Sequence, residues 1–316
     1  MISFIIIGKN ENWKLTKCLE SVFRTIKSNN FENAEILYID SNSSDDSIER
    51  AKKYPGVKIY KITEGYNAAV ARNIGARESH KDILCFLDGD MELIENFINY
   101  ILNKNNELIY PFIGGYLIDK VYNDNNKVLA TNIYPRNINN PFFEAFSGGS
   151  FVISRYLWEK VGGMKNYLVG GEEPDLALRL AQNGIFKLWL NIPMVIHNET
   201  KSKRTDSFKS LLTKRYIFGR IVVYRENFFN IFSLKRFFRM EYSALNLILA
   251  LVCLFINVKL SILLISSYIV ILIIKSIKKY NRLAPISYLL MKDLVFFMLI
   301  FYFPSRKNQV VYDKVS

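Results

Sequence analysis

Three absences constrain this chain of 316 residues before any motif is considered. It has only three cysteines, Cys18, Cys85 and Cys253, with no CxxC pair. That spacing offers no disulfide framework and fits a reducing compartment. No internal repeat recurs. The opening run Met1-Ile2-Ser3-Phe4-Ile5-Ile6-Ile7 lacks a charged leader and breaks at Gly8 and Lys9, so it reads as a first strand rather than a signal peptide.

Charge of one sign is also missing from the first two thirds. Residues 1–205 carry 25 Lys and Arg against 24 Asp and Glu, whereas residues 206–316 carry 17 against 5. The overall charge of +13 is therefore not a nucleic-acid footprint, which would put basic residues on the folded domain. It accompanies the apolar segments, as a membrane surface of anionic head groups selects. Hydrophobic residues make up 50% of the chain, and the mean hydropathy of +0.07 is high for a purely soluble protein, so apolar residues must be concentrated somewhere. The length allows one large domain and a smaller appendage.

Short β-branched and aromatic runs alternate with helical patterns. Ser3 to Ile7, Glu35 to Ile39, Val57 to Tyr60 and Ile83 to Leu87 read as strands. Trp13 to Ile26, Ser47 to Lys53 and Asn67 to Glu78 read as helices between them. This alternation implies βαβ units and a mostly parallel, Rossmann-like sheet, with ligands at the carboxyl ends of its strands. Beyond Asp90 the pattern is mixed. A helix is expected over Leu93 to Leu102, strands at Ile113 to Asp119 and Ser150 to Ile153, a helix over Pro174 to Gln182 and a short strand at Met194 to Ile196. Asn123 to Asn140, with Pro135 and then Pro141, reads as a long loop.

Ser207 to Phe229 is basic and aromatic, including Lys209, Lys214, Arg215, Arg220 and Arg225, and suits a surface helix near lipid. Ala244 to Ile274 is nearly continuous apolar sequence, interrupted at Asn257 and Lys259. A single span would put Lys259 near the bilayer centre, at a cost of about 2.5–3.5 kcal/mol. A hairpin turning at Asn257 to Lys259 avoids that cost. A third run, Ile286 to Phe303, contains Lys292 and Asp293 and reads as a span or an interfacial helix. A soluble helical domain is the alternative for all three.

The sharpest local signal is Phe86-Leu87-Asp88-Gly89-Asp90, two carboxylates directly after a buried strand. A turn opening there can aim one acid at a metal and the other at a nearby ligand. A solvated turn has the same sequence. Asp40 ends an earlier strand in Tyr38-Ile39-Asp40-Ser41-Asn42-Ser43, so both acids lie at the carboxyl edge, where they suit a metal, a ribose or a base. Arg72, in Ala71-Arg72-Asn73-Ile74-Gly75, is either a bidentate phosphate ligand or an ordinary helical surface arginine.

Taken together, these segments resemble the family 2 glycosyltransferases of GT-A fold over roughly residues 2 to 225. Ile2 to Glu11 looks like the opening strand and nucleotide loop, with Cys18-Leu19-Glu20-Ser21-Val22 in the first helix. Asp88-Gly89-Asp90 matches the central DxD block. Gly148-Gly149-Ser150-Phe151, Val161-Gly162-Gly163-Met164 and Gly171-Glu172-Glu173-Pro174-Asp175-Leu176 with Arg179-Leu180 match the acceptor-side block.

The resemblance implies that Glu11 and Asp40 contact the nucleoside, Asp88 the ribose or base side of the donor, and Arg72 the diphosphate. It implies that Asp90 and His197 hold Mg or Mn, with a core or surface histidine as the bland alternative for His197. Glu173, or its neighbour Glu172, is the candidate general base: Pro174 suits the first position of a helix, whose dipole favours the carboxylate there. Gly8-Lys9 replaces the family's commoner Thr-Tyr, and Ser41 replaces a second acid, so base and ribose recognition are expected to differ. No Gln/Arg-x-x-Arg-Trp block follows His197, which points to single addition rather than chain elongation.

The expectation is an inverting, metal-dependent transferase of cell-envelope polysaccharide biosynthesis, using a UDP-sugar and a lipid-linked or surface glycan acceptor. Its domains are expected at 1–230, catalytic and facing the cytoplasm, and at 231–316, a transmembrane hairpin with a third span or interfacial helix at the cell membrane. The competing expectation is a non-catalytic scaffold subunit of a membrane glycan-assembly complex.

Overall fold

The computed structural model describes residues 1–134, 141–200, 215–280, 286–298 and 309–316. They form two compact units: Met1–Leu168 with Glu172–Ser202 and Ser305–Ser316, and Val169–Gly171 with Lys203–Pro304.

The first unit is built on one large mixed sheet. Its N-terminal half comprises β1 (Ile2–Gly8), β2 (Glu35–Asp40), β3 (Val57–Glu64) and β4 (Ile83–Asp88), parallel in the order β3-β2-β1-β4. Helices α1 (Trp13–Ser28), α2 (Ser47–Ala51) and α3 (Ala68–Glu78) make the crossovers. The expected alternation is present because β1 is apolar on both faces: Ile2, Phe4 and Ile6 enter one core with Leu15, Cys18 and Leu19 of α1, while Ile5 and Ile7 enter the other with Val70 and Ile74 of α3. Asn67 caps α3, its side-chain oxygen accepting the Val70 amide at 2.9 Å.

Beyond β4 the sheet turns mixed, continuing through β9 (Phe151–Ser154), β6 (Phe112–Tyr122), β10 (Lys187–Thr200) and β5 (Met91–Leu93). Here the structure departs from the sequence reading. Met91–Leu93 pairs antiparallel with β10, so the helix expected from Leu93 is reduced to α4 (Phe97–Ile101). The expected loop from Asn123 holds a further strand, β7 (Val128–Tyr134), because its β-branched run pairs antiparallel with β6 around a turn at which Asn126 adopts φ 56°. Residues 135–140 of that loop lie outside the described residues. β8 (Phe142–Glu144) pairs with β10. The 14 residues of β10 greatly exceed the strand expected at Met194. Two helices cover this half, α5 (Arg155–Lys160) and α6 (Glu172–Gln182). The last strand, β11 (Val311–Lys314), returns to pair with β3.

The second unit is helical: α7 (Arg215–Glu226), α8 (Ile231–Cys253), α9 (Val258–Tyr280) and α10 (Ile286–Met298). Residues 207–214 of the basic aromatic segment lie outside the described residues. The unit begins before the boundary expected at 230 because Ile221 and Tyr224 of α7 pack with Ala244, Val295 and Phe296 of the later helices. It also stops short of the C-terminus, because β11 belongs to the sheet. Asn230 caps α8 through its oxygen, which accepts the amides of Phe232 and Ser233. Helix α8 kinks at Glu241 (φ −110°, ψ 16°), a buried residue gripped by Arg220 at 3.1 Å. The chain turns between α8 and α9, at the interruption read from Asn257 and Lys259. Among the described residues, Val258–Ile277 is the one helix long and apolar enough to cross a membrane.

Candidate active site

The chemistry-bearing residues gather where β4 and β1 end. Asp88 is the last residue of β4, and Asp90 follows in the turn to β5. That turn is tied down at Gly89, whose amide donates to the Ile7 carbonyl at 2.7 Å. A Cβ at this position would stand 2.8 Å from Glu11 Cγ, so glycine lets the turn pack this closely on Glu11. The Asp90 carbonyl accepts the Asn198 amide at 2.8 Å, fixing the turn against β10.

One cluster surrounds Asp90. His197 lies on β10, in register with Met91 of β5 and Asp119 of β6. Its Nε2 is 3.2 Å from Asp90 Oδ2, and its Nδ1 is 2.8 Å from Asp119 Oδ1. The hydrogen bond to Asp90 is the main cause, with Asp119 adding to it against the effect of burial, of a His197 pKa raised to about 9. On the other side Lys14, from the first turn of α1, reaches Glu11 at 3.0 Å and Asp90 Oδ2 at 3.8 Å. Burial, and then the Asp90 charge, push the Glu11 carboxyl up despite Lys14.

The second cluster centres on Arg72, only 1% exposed on α3. Its Nη2 sits 2.8 Å from Asp88 Oδ1 and 3.1 Å from Glu173 Oε1, and its Nη1 3.3 Å from Glu172 Oε1. Arg72 is thus neither a surface arginine nor open to a phosphate. One buried cation holds three carboxylates, the arrangement that keeps them together in a low-dielectric site. Burial raises Glu173 to about 7, offset in part by Arg72 and reinforced by Glu172 and Asp88. Burial likewise raises Asp88, against the pull of Arg72. Gly149 closes the cluster, since a Cβ there would run into the Asp88 carboxylate. Glu172 and Glu173 open α6, so Pro174 occupies the third position of that helix rather than the first.

Asp40 stands apart from both. It is fully buried, its Oδ2 accepting from the Tyr38 hydroxyl at 3.0 Å and its Oδ1 from the Ser43 amide at 2.8 Å. It anchors the loop after β2, and that loop grips the opening segment: Ser43 and Ser47 hydroxyls accept the amides of Asn10, Glu11 and Asn12.

The residues present fit a divalent cation. Asp90 Oδ1 is buried without any hydrogen-bond partner, while Oδ2 faces an imidazole nitrogen. Among the described residues no group of three or more His, Cys, Asp or Glu could hold an ion alone. Two protein donors suit an ion completed by substrate phosphates and water, the manner in which Mg is commonly held. Sequence reasoning missed Asp119 and Lys14. An acid inside the apolar run Gly115-Tyr116-Leu117-Ile118-Asp119 was the available signal for the first; nothing local distinguished Lys14 from other lysines of α1.

A sheet with acids converging at its carboxyl edge, beside a helix that opens with two glutamates, has the architecture of a GT-A glycosyltransferase domain. Residues 3–156 match the family described as glycosyl transferase family 2. An uncharacterized glycosyltransferase of Haemophilus influenzae is 26% identical over 231 residues, covering 69% of this chain and 76% of that protein. The Campylobacter jejuni GalNAc(5)-diNAcBac-PP-undecaprenol beta-1,3-glucosyltransferase is 28% identical over 107 residues, 32% of this chain and 35% of that protein. Among solved structures, the mannosyltransferase PcManGT of Pyrobaculum calidifontis, in complex with GDP-Man and Mn2+, shares the fold. Its TM-score is 0.59 at 14% identity, over 94% of this chain and 86% of that one. The matched residues 3–156 carry a glycosyltransferase domain of family 2 type.

Proposed function

We propose that this protein transfers a sugar from a nucleotide-sugar donor to a hydroxyl of a lipid-linked glycan by a metal-dependent, inverting single displacement, in cell-envelope polysaccharide synthesis. The observation that carries this reading is the buried, unpartnered Asp90 oxygen beside His197, two residues along the chain from Asp88, one of the three acids that Arg72 binds. Asp90 and His197 hold Mg or Mn, which when bound neutralises charge on the departing diphosphate. Lys14 Nζ, beside both Glu11 and Asp90, adds a cation on the same side. Glu11 and Asp88 line the donor pocket. Asp40 and Arg72 act on the donor indirectly, the first by shaping its loop and the second by holding Asp88.

Glu173, 17% exposed, is the general base, and Glu172, 6% exposed, supports it from the far side of Arg72. The Glu173 carboxylate takes the proton of the acceptor hydroxyl, whose oxygen bonds to the anomeric carbon as the bond from that carbon to the diphosphate breaks. The electron pair leaves with the nucleoside diphosphate. Attack from the face opposite the leaving group inverts the anomeric centre, and no covalent sugar-enzyme intermediate forms.

The long apolar helix Val258–Ile277 supports a membrane location; in this reading the catalytic unit faces the cytoplasm. The Campylobacter relative, named for an undecaprenol-linked substrate, supports a lipid-linked acceptor. The donor is a UDP-sugar in this reading, with a GDP-sugar as the competitor suggested by the shared fold of the mannosyltransferase.

The deciding experiment measures hydrolysis of UDP-, GDP- and dTDP-sugars by the detergent-solubilised protein, with and without Mn or Mg, alongside Asp90→Ala. Metal-dependent release of one nucleoside diphosphate, lost in the variant, is expected. Absence of both turnover and metal-dependent binding across the panel would instead favour a scaffold subunit.

A further inference from the structure

The C-terminal strand carries a consequence for how the helices meet a membrane. β11 pairs antiparallel with β3. The Ser316 carbonyl accepts the Ile59 amide at 3.0 Å, and the Tyr312 hydroxyl donates to Glu78 at 2.7 Å, with the Tyr312 ring against that of Tyr60. The end of the chain is therefore part of the same folded sheet as its beginning, and the helical unit is an insertion between β10 and β11. A mixed sheet with polar edges cannot straddle a bilayer, because its unpaired backbone groups would meet hydrocarbon. A chain that leaves the sheet after β10 and rejoins it at β11 must come back to the face of the membrane it left.

Resting on the membrane reading above, we infer that the helical unit is embedded in the lipid bilayer by the α8–α9 hairpin, enters and leaves from one face, and crosses an even number of times, with the shorter apolar part of α8 after Glu241 making the crossing that pairs with α9. Helix α10 is then not a third span.

The helices carry features of their own that agree. Contacts between α8 and α9 run in opposite directions along the two helices: Ser243 with Lys275, Asn246 with Ser267, Ala250 with Ser261. Antiparallel pairing brings Arg236, Arg239 and Lys275 to one end of the hairpin and Phe255 and Ile256 to the other. Phe255 and Ile256 are 92% and 78% exposed, and the outer face of α9 is apolar and open along its length, as at Leu263 and Val270. The 20-residue stretch Val258–Ile277 is roughly 30 Å long at 1.5 Å per residue, about the thickness of the hydrocarbon core. The excess of 17 Lys and Arg over 5 Asp and Glu in residues 206–316 complements anionic head groups, so the partner is phospholipid rather than another protein.

Helix α10 differs. Its Asp293 is 2% exposed and accepts the Tyr268 hydroxyl at 3.3 Å, and Val295 and Phe296 are buried against Ile221, Tyr224 and Ala244. Most of its described side chains are buried or half-buried, with Ser287 and Leu294 the exposed ones.

The test uses the full chain, tagged at both ends and expressed in bacterial membranes. Retention through an alkaline carbonate wash is expected; release would overturn the membrane reading itself. Protease added to intact spheroplasts, and again after permeabilisation, should reach both tags under the same condition. One tag cut while the other is protected would overturn the even count and leave membrane association standing. Lys61→Cys with Asp313→Cys, in a Cys253→Ser background, joins partners in the β3–β11 register. An oxidant-dependent intrachain disulfide in the membrane-bound protein is expected, and its absence in a chain that still hydrolyses donor would remove the strand pairing and the inference with it.

Discussion

Asp119 Oδ1 lies 2.8 Å from His197 Nδ1, across the parallel pairing of β6 and β10, and leaves Nε2 as the nitrogen that faces Asp90. A carboxylate on one ring nitrogen fixes the orientation of the other, as in carboxylate–histidine–metal arrangements.

Asp119→Ala should therefore weaken Mn binding by about 10- to 100-fold, and Asp119→Asn, which keeps an acceptor, by less. Titration of Mn followed by its electron paramagnetic resonance signal reads this without any turnover. Equal affinity in Asp119→Ala and the unaltered protein would remove Asp119 from the site.

Glu173 must be ionised to act as a base, and its pKa is raised to about 7. Activity should fall about tenfold per pH unit below that value and level off above it. Glu173→Gln should lower kcat by about 10²- to 10⁴-fold with little change in donor binding, while Glu172→Gln has the smaller effect. A pH–rate profile with donor and acceptor saturating, together with donor affinity by calorimetry, separates the two glutamates.

Arg72 lowers the Glu173 pKa and holds its carboxylate in place. Arg72→Lys, which keeps the charge but not the planar fork, should reduce kcat and move the acid limb of the profile to higher pH. A merely structural role would leave that limb where it is. Circular dichroism checks that the variant is folded, since breaking a buried pair outright costs about 3–5 kcal/mol.

Glu35 offers a stability test remote from the site. Burial would raise its pKa, but the His80 amide, the Ser3 hydroxyl and Lys58 outweigh burial and bring it from 4.5 down to about 2. The folded state gains from the ionised form, so this contribution is complete above about pH 4.5 and is lost as pH falls through about 2. Glu35→Gln should cost roughly 1–2 kcal/mol at neutral pH, less than the full shift because solvent screens its accessible partners Lys58 and His80, with the difference from the unaltered protein vanishing near the acid limit. Urea unfolding at several pH values checks it.

Much of the fold is legible in the chain because its signals are local. Strands β1 to β4 and the helices between them follow from apolar runs, turn residues and the Asn67 cap, each a matter of a few neighbouring residues. The acids at the strand ends follow from the same alternation, which puts Asp40 and Asp88 at one edge. The interruption at Asn257 to Lys259 announced the break between α8 and α9 for the same reason.

What the chain could not announce depends on partners far away in sequence. Asp119 and His197 are 78 residues apart and meet only because β6 and β10 pair in one register. Arg72 looked like a phosphate ligand until α3 and α6 enclosed it among Asp88, Glu172 and Glu173. The short run Val310-Val311-Tyr312 does not by itself say which edge it joins; pairing with β3 decides that. Sequence determined the class of chemistry, since residue types and local spacing carry it. Tertiary structure alone decided which groups are buried, which carboxylates share one cation, and that the chain rejoins the sheet at β11, because those depend on strand register and long-range packing.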